Sequence, residues 1–209
     1  MKISNIAQKC KSSKYALIVD TGAYQFLGNG QAMYKVAGLP ALEPGNIPAL
    51  FGLSEKDWLE NWASSIASAD IAGVSFDDID PLDEMTEQPY TSIVLNGEII
   101  RCFVGSSSRE MIFVKSWYLE NFDPGIVDYY IRRTSKGRPV LAVKQGMLTE
   151  GIIYPVSVAP KALSDKLYDF AAAVSKQCSN YEYVEDSLQV QFDEDAELYR
   201  EEVDDTDNE

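Results

Sequence analysis

The 209-residue chain has no histidine. That removes Ser-His-Asp and Cys-His nucleophile systems, imidazole zinc ligands and the imidazole pH switch. Cysteine is scarce. Cys10, Cys102 and Cys178 are odd in number, far apart and without CxxC spacing, which fits reduced thiols and argues against a disulfide framework or zinc site. Cys102 sits in the apolar run 99–104 and reads as core. Cys10, beside Lys11 and near Lys14, is the thiol whose pKa neighbouring charge would lower. Long apolar runs are missing too, and none approaches the roughly 20 residues of a membrane span. The opening MKISNIAQKCKSSKYALIV scatters its charges and lacks a continuous apolar stretch. Neither GxxxxGK[ST] nor a strand-to-helix GxGxxG occurs. The expectation is a cytoplasmic, non-enzymatic chain with no membrane association, no cofactor and no metal.

Bases are outnumbered, eighteen against thirty-three acids, for a net charge of −15. The imbalance is local. Residues 181–209 hold thirteen acids and one base, Arg200, so they carry −12 and the other 180 residues only −3. Such a block repels itself and buries little, so the tail is expected to be mostly disordered, above all from about residue 193. It reads as a solubilising segment, as a competitor for a basic face, or as a partner-binding peptide. Residues 70–87 form a second acidic run, with seven acids and no base. Asp78, Asp80 and Asp83 suggest calcium. Counted from Asp78, however, Leu82 falls where a calcium loop needs an oxygen ligand, Asp83 where it needs glycine, and Pro89 where it needs glutamate. The run reads as a solvated linker.

What remains is globular: 45% apolar and 11% aromatic residues are enough to build a core. Residues 1–3 read as a short strand. Ser4 is placed to cap a helix over 5–11, striped by Ile6, Ala7 and Cys10. Strands follow at 15–20, 24–27 and 31–36, the last two joined by the turn Gly28-Asn29-Gly30. Three prolines between 39 and 48 bar a central strand. Ser54 caps a helix faced by Trp58, Leu59 and Trp62 and running to about residue 66. Past the acidic run, Asn96-Gly97 joins strands at 90–95 and 98–104. Gly105-Ser-Ser-Ser108 reads as a polar connector whose amides could hold an anion. A strand at 111–114 leads into a short helix from Ser116 to Phe122, then strands at 127–133, 139–144 and 148–158. An amphipathic helix over 160–178, striped by Leu163, Leu167, Phe170, Ala171 and Val174, offers a docking face. These elements divide the chain into an α+β domain, 1–180, with an insertion at about 37–89, and the tail 181–209.

The order of elements resembles one domain of the bacterial DNA sliding clamp, with two strand-helix-strand-strand halves. Two passages carry the resemblance. Met111-Ile-Phe-Val-Lys-Ser-Trp-Tyr-Leu119 is similar to the clamp's second passage from strand into helix. Arg138-Pro-Val-Leu-Ala-Val-Lys144, with Gly146 and Gly151-Ile-Ile-Tyr-Pro-Val156, is similar to its closing strands. The likeness covers residues 1–36 and 90–158. The helical insertion, the C-terminal helix and the tail depart from it, as does a length that holds one such domain rather than three. It implies a binding or scaffold protein tied to DNA replication or to a mobile element. DNA would be held by non-specific backbone contact and self-association would be open to the chain. Nucleic-acid-binding residues would then be Lys9, Lys11 and Lys14 around the first helix, and Arg132, Arg133, Lys136 and Arg138 on the later strands and turn. The alternative is an acidic interaction protein that engages a basic partner through its tail, with the 160–178 helix as a further protein-docking element.

Overall fold

Two antiparallel meanders, each led in by a helix, are joined by their third strands. The computed structural model describes residues 3–68, 73–87, 92–95 and 97–156. These belong to one unit, Met1–Val156, and a second unit spans Ser157–Glu209. The expected helix 160–178, the tail and Cys178 lie outside the described residues, as do Met1, Lys2 and Asn96. No helix among the described residues is long and apolar enough to cross a membrane.

Helix α1 (Ile3–Ser13) precedes strands β1 (Tyr15–Asp20), β2 (Gln25–Gly28) and β3 (Ala32–Val36). The helix takes in Ile3 and Ser4, so it begins where the sequence suggested a strand and a cap. A 3-10 turn (Pro44–Asn46) and the helices α2 (Ile47–Phe51) and α3 (Glu55–Asn61) lie in and just after the proline-rich stretch. The Ser54 hydroxyl accepts from the Asp57 amide at 3.2 Å, which caps α3 as expected. Strand β4 (Ala63–Ser68) comes next, then β5 (Glu84–Glu87), β6 (Ser92–Leu95), β7 (Glu98–Gly105) and β8 (Met111–Lys115). Helix α4 (Ser116–Leu119) leads into β9 (Asp128–Arg133), β10 (Pro139–Gln145) and β11 (Leu148–Ile153). The result is a mixed α+β fold with one large, mostly antiparallel sheet and few helices.

The sheet runs β4-β1-β2-β3-β11-β10-β9-β5-β7-β6, and β8 pairs with β7. Its middle is palindromic: β1-β2-β3 meets β11-β10-β9 where Met33 pairs with Ile152. Among the described strands, the one departure from antiparallel pairing is β4 alongside β1, with Tyr15 opposite Ala63 and Asp20 opposite Ser68. Here the expected helix is shorter than its sequence pattern. Trp62 turns extended at φ −112°, ψ 142°, and the free edge of β1 draws residues 63–68 into a strand. Tertiary pairing overrides a helical period that continues past Trp62.

Strand alternation sorts side chains onto two faces. One face carries Ile18, Leu27, Tyr34, Ile153, Leu141 and Ile131, and both helices pack on it through Ile6, Ala7 and Cys10 of α1 and Tyr118 and Leu119 of α4. A polar seam links the halves there. The Tyr34 hydroxyl donates to the Tyr118 carbonyl at 2.9 Å, and the Tyr118 hydroxyl donates to Gln31 Oε1 at 2.8 Å. Cys10 is buried in this core, and burial pushes its thiol up to about 12, only partly offset by Lys9. The lowered thiol expected from its lysine neighbours is reversed. The other face carries Val19, Phe26, Met33, Ile152, Val140 and Ala142, and it too is covered.

Candidate functional site

What covers the second face is part of the acidic run, residues 73–83. Val74 and Phe76 are buried in the cluster around Phe26 and Met33, and the Phe76 ring lies 4.7 Å from that of Phe26. Burying two such side chains is worth about 1.5–3 kcal/mol each. Residues 73–83 are therefore a strap laid across the sheet, not a solvated linker.

The strap is held by three cations that the sheet turns inward. In strands, residues two apart share a face. Arg132 thus follows Tyr130, Lys144 follows Ala142 and Lys35 follows Met33 onto the strap side. Arg132 is wholly buried, 0% exposed. Its guanidinium donates to both Asp83 carboxylate oxygens at 2.7 Å and to the Ser75 and Asp77 carbonyls at 2.8 and 2.9 Å. Lys144 Nζ meets the same Asp83 carboxylate, whose side chain is 5% exposed. Lys35 Nζ lies 3.9 Å from both Asp78 and Glu150 and 3.7 Å above the Tyr24 ring. Thr149 donates its hydroxyl to the Asp77 carbonyl and its amide to Asp78 Oδ1, at 2.9 and 2.8 Å. Strap and sheet thus meet through charge-assisted bonds with well-matched geometry.

Burial alone would raise the Asp83 carboxyl, but the hydrogen bonds and charges of Arg132 and Lys144 outweigh it and hold the carboxyl below its ordinary value. The folded state then binds fewer protons than the unfolded chain. The resulting stability is present above the ordinary carboxylate value of about 4 and is lost as pH falls through the folded-state value. Urea midpoints should hold from neutral pH down to about pH 5 and drop more steeply below about pH 4 than in the Asp83→Asn chain. Equal slopes in the two proteins would contradict this linkage.

A second anion is held nearby. The Ser107 and Ser108 amides donate to Glu84 Oε1 at 2.7 and 2.6 Å, and the Ser108 bonds lower the Glu84 carboxyl against the opposing effect of burial, helped by the Ser107 bond and the charge of Arg133. The connector after β7 does bind an anion on its amides. The anion is the chain's own.

The seven residues expected at a nucleic-acid interface do not form one surface. Arg132 is spent on the strap. Lys9 is 1% exposed and sits 5.2 Å from the Trp117 ring centre; burial lowers its ammonium, against smaller opposing effects of Glu120 and Cys10. Neither reaches a phosphate as placed. Arg133 pairs with Glu110. Lys11, Lys14, Lys136 and Arg138 are exposed, and no ion pair engages them among the described residues. Lys14 leads into β1, and Lys136 and Arg138 occupy the β9–β10 turn at the same end of the sheet. Four strand spacings separate β1 from β10, about 19 Å at the usual interval.

Sequence reasoning missed the cluster of Asp83, Arg132, Lys144 and Lys35. Strand parity was the available signal, since it sets each base on the face of apolar neighbours two residues away.

Comparison with protein-family models, with curated proteins and with solved structures finds no match.

Proposed function

We propose that this chain is a non-catalytic scaffold built on the plan of a sliding-clamp domain, serving DNA replication or a mobile element by holding a nucleic-acid backbone through charge alone. The carrying observation is the mirrored order β1-β2-β3-β11-β10-β9, with a helix ahead of each meander and both helices on one face. The chemistry of α1 supports the reading, because its sequence ISNIAQKCKSS has no acid and exposes Gln8, Lys11 and Ser12. With Lys9 and Arg132 buried and Glu120 following α4, the contact set narrows to Lys11, Lys14, Lys136 and Arg138.

Self-association would use the ends of the sheet. Among the described residues β4 pairs only with β1, and β6 only with β7, so each leaves one edge open. Two unlike open edges join head to tail and close into a ring where the rotation permits.

Light scattering of the full-length chain, with duplex DNA retention across a salt series, tests the reading. An oligomer is expected, with affinity indifferent to sequence. The slope of log affinity against log salt should be about −3 to −4 for four phosphate contacts. Lys11→Glu with Lys14→Glu should flatten that slope by about half. A monomer with a flat salt response overturns the proposal. The −12 charge of residues 181–209 favours a second reading, an acidic interaction protein engaging a basic partner. It predicts a monomer whose binding is lost on deletion of those residues.

A further inference from the structure

The seat beneath the strap accepts a definite pattern. Val74 and Phe76 enter the apolar cluster with one residue between them. The Ser75 and Asp77 carbonyls receive the Arg132 guanidinium, so the sheet reads these two positions through the backbone, and their side chains bond each other within the strap. Asp78 accepts from the Thr149 amide and faces Lys35. Ile79 and Leu82 are exposed.

The pattern occurs a second time in the chain. Val190-Gln-Phe192-Asp193-Glu194 repeats Val74-Ser-Phe76-Asp77-Asp78, 116 positions further on. An aspartate four residues ahead of the valine, Asp70 and Asp186, and a leucine eight behind it, Leu82 and Leu198, recur in step. Within the five-residue core, each side chain that meets the sheet, Val74, Phe76 and Asp78, has an identical or like-charged counterpart, while Ser75, whose hydroxyl bonds Asp77 inside the strap, is replaced by Gln191. The next position diverges, Ile79 against Asp195, and there the strap's side chain is in solvent. The likeness fails further along, where Asp80 and Asp83 give way to Ala196 and Tyr199. The second copy thus keeps what the seat recognises and lacks the carboxylate that locks Arg132 and Lys144.

We propose that the strap's seat is a recognition site for a Val-x-Phe-x-acid segment, and that residues 190–198 of a second copy of this chain occupy it when the resident strap leaves. Each molecule carries one seat and one spare segment, so copies link head to tail, one to the next. Charge favours the match, since Lys35, Arg132 and Lys144 underlie the seat and the donor stretch is strongly acidic. The resident strap, tethered at both ends, enjoys a high effective concentration, and exchange depends on weakening it. This proposal does not rest on the sliding-clamp reading.

The test uses a fluorescent peptide of residues 186–199 titrated with the full-length Phe192→Ala chain. Saturable binding is expected, at least tenfold weaker for a peptide carrying Phe192→Ala. It should be at least tenfold tighter for a protein that also carries Phe76→Ala, whose strap vacates the seat more readily. In light scattering, Phe76→Ala alone should add concentration-dependent association over the unmodified chain, and Phe192→Ala should abolish that increment. Association through sheet edges persists in both chains and is thereby told apart. Phe76→Leu, which keeps apolar bulk, makes the same comparison if Phe76→Ala does not fold. Absence of peptide binding, binding indifferent to Phe192, or an increment indifferent to Phe192 overturns the proposal. Tighter peptide binding without any increment overturns the assignment to a second copy.

Discussion

Replacing Arg132 with alanine is expected to cost about 3–5 kcal/mol of unfolding free energy. The guanidinium is fully buried and holds two strap carbonyls as well as the Asp83 carboxylate. Its removal leaves Asp83 with Lys144 alone and strips the Ser75 and Asp77 carbonyls of a buried donor, although Thr149 still serves Asp77. An unmet buried acceptor costs about 1–3 kcal/mol, and a half-paired buried charge costs more. Urea unfolding followed by tryptophan fluorescence measures the loss. Arg132→Lys should recover only part of it, because an ammonium cannot present the planar fork that meets carboxylate and carbonyls together. A loss below about 1 kcal/mol for the alanine variant would mean that the strap is seated by its apolar side chains alone.

Gly28→Ala is expected to be nearly as costly, on the order of 3–4 kcal/mol, for a different reason. A Cβ at position 28 would sit 1.8 Å from the Ala32 carbonyl oxygen and 2.9 Å from the Met33 Cα. Those are backbone atoms of the partner strand, held by the Asn29 amide bond to the Ala32 carbonyl and by the β2–β3 ladder. No side-chain rotation relieves the overlap, so the hairpin must open or shift register. Gly30→Ala is the control. It has φ +79°, and a Cβ there would meet only the edge of the Tyr15 ring, at 3.3 Å and with no backbone atom in reach, so its cost should be mainly backbone strain of about 1 kcal/mol. Comparable losses at the two positions would show that turn conformation, not strand contact, sets the requirement for glycine.

Local signals in the sequence located most strands. Gly28-Asn-Gly30, Asn96-Gly97 and Ser135-Lys-Gly137 each mark a reversal, and the apolar runs beside them became strands to within a few residues. Such features were legible because turn chemistry acts over two or three residues. What the sequence hid is long-range. Residues 63–68 continue a helical pattern, and only the open edge of β1 makes them a strand. The strap looks solvated because the run has seven acids and no base, and the bases that neutralise Asp78 and Asp83 lie more than forty residues away in sequence. The candidate contact set suffered likewise. Lys9 resembles the exposed bases in sequence, and only Trp117, brought in by the fold, distinguishes it; Arg132 had strand parity as its one local sign, and its partner Asp83 comes from the fold. Val74 and Phe76, two apart within an acidic stretch, were the sole local sign of a buried edge.

The junction of the two meanders has a consequence for synthesis. Ala32 finds its partner in Ile153, so the first meander emerges from the ribosome with a bare strand and waits for nearly the whole domain to be translated. Pairings this distant in sequence fold slowly, on the scale of milliseconds to seconds. A nascent chain stalled before residue 148 would present the β3 edge and its alternating apolar residues to any neighbouring polypeptide. Chaperone demand should therefore rise sharply with truncation at the carboxyl side of the domain and much less with changes in the β6–β7 hairpin.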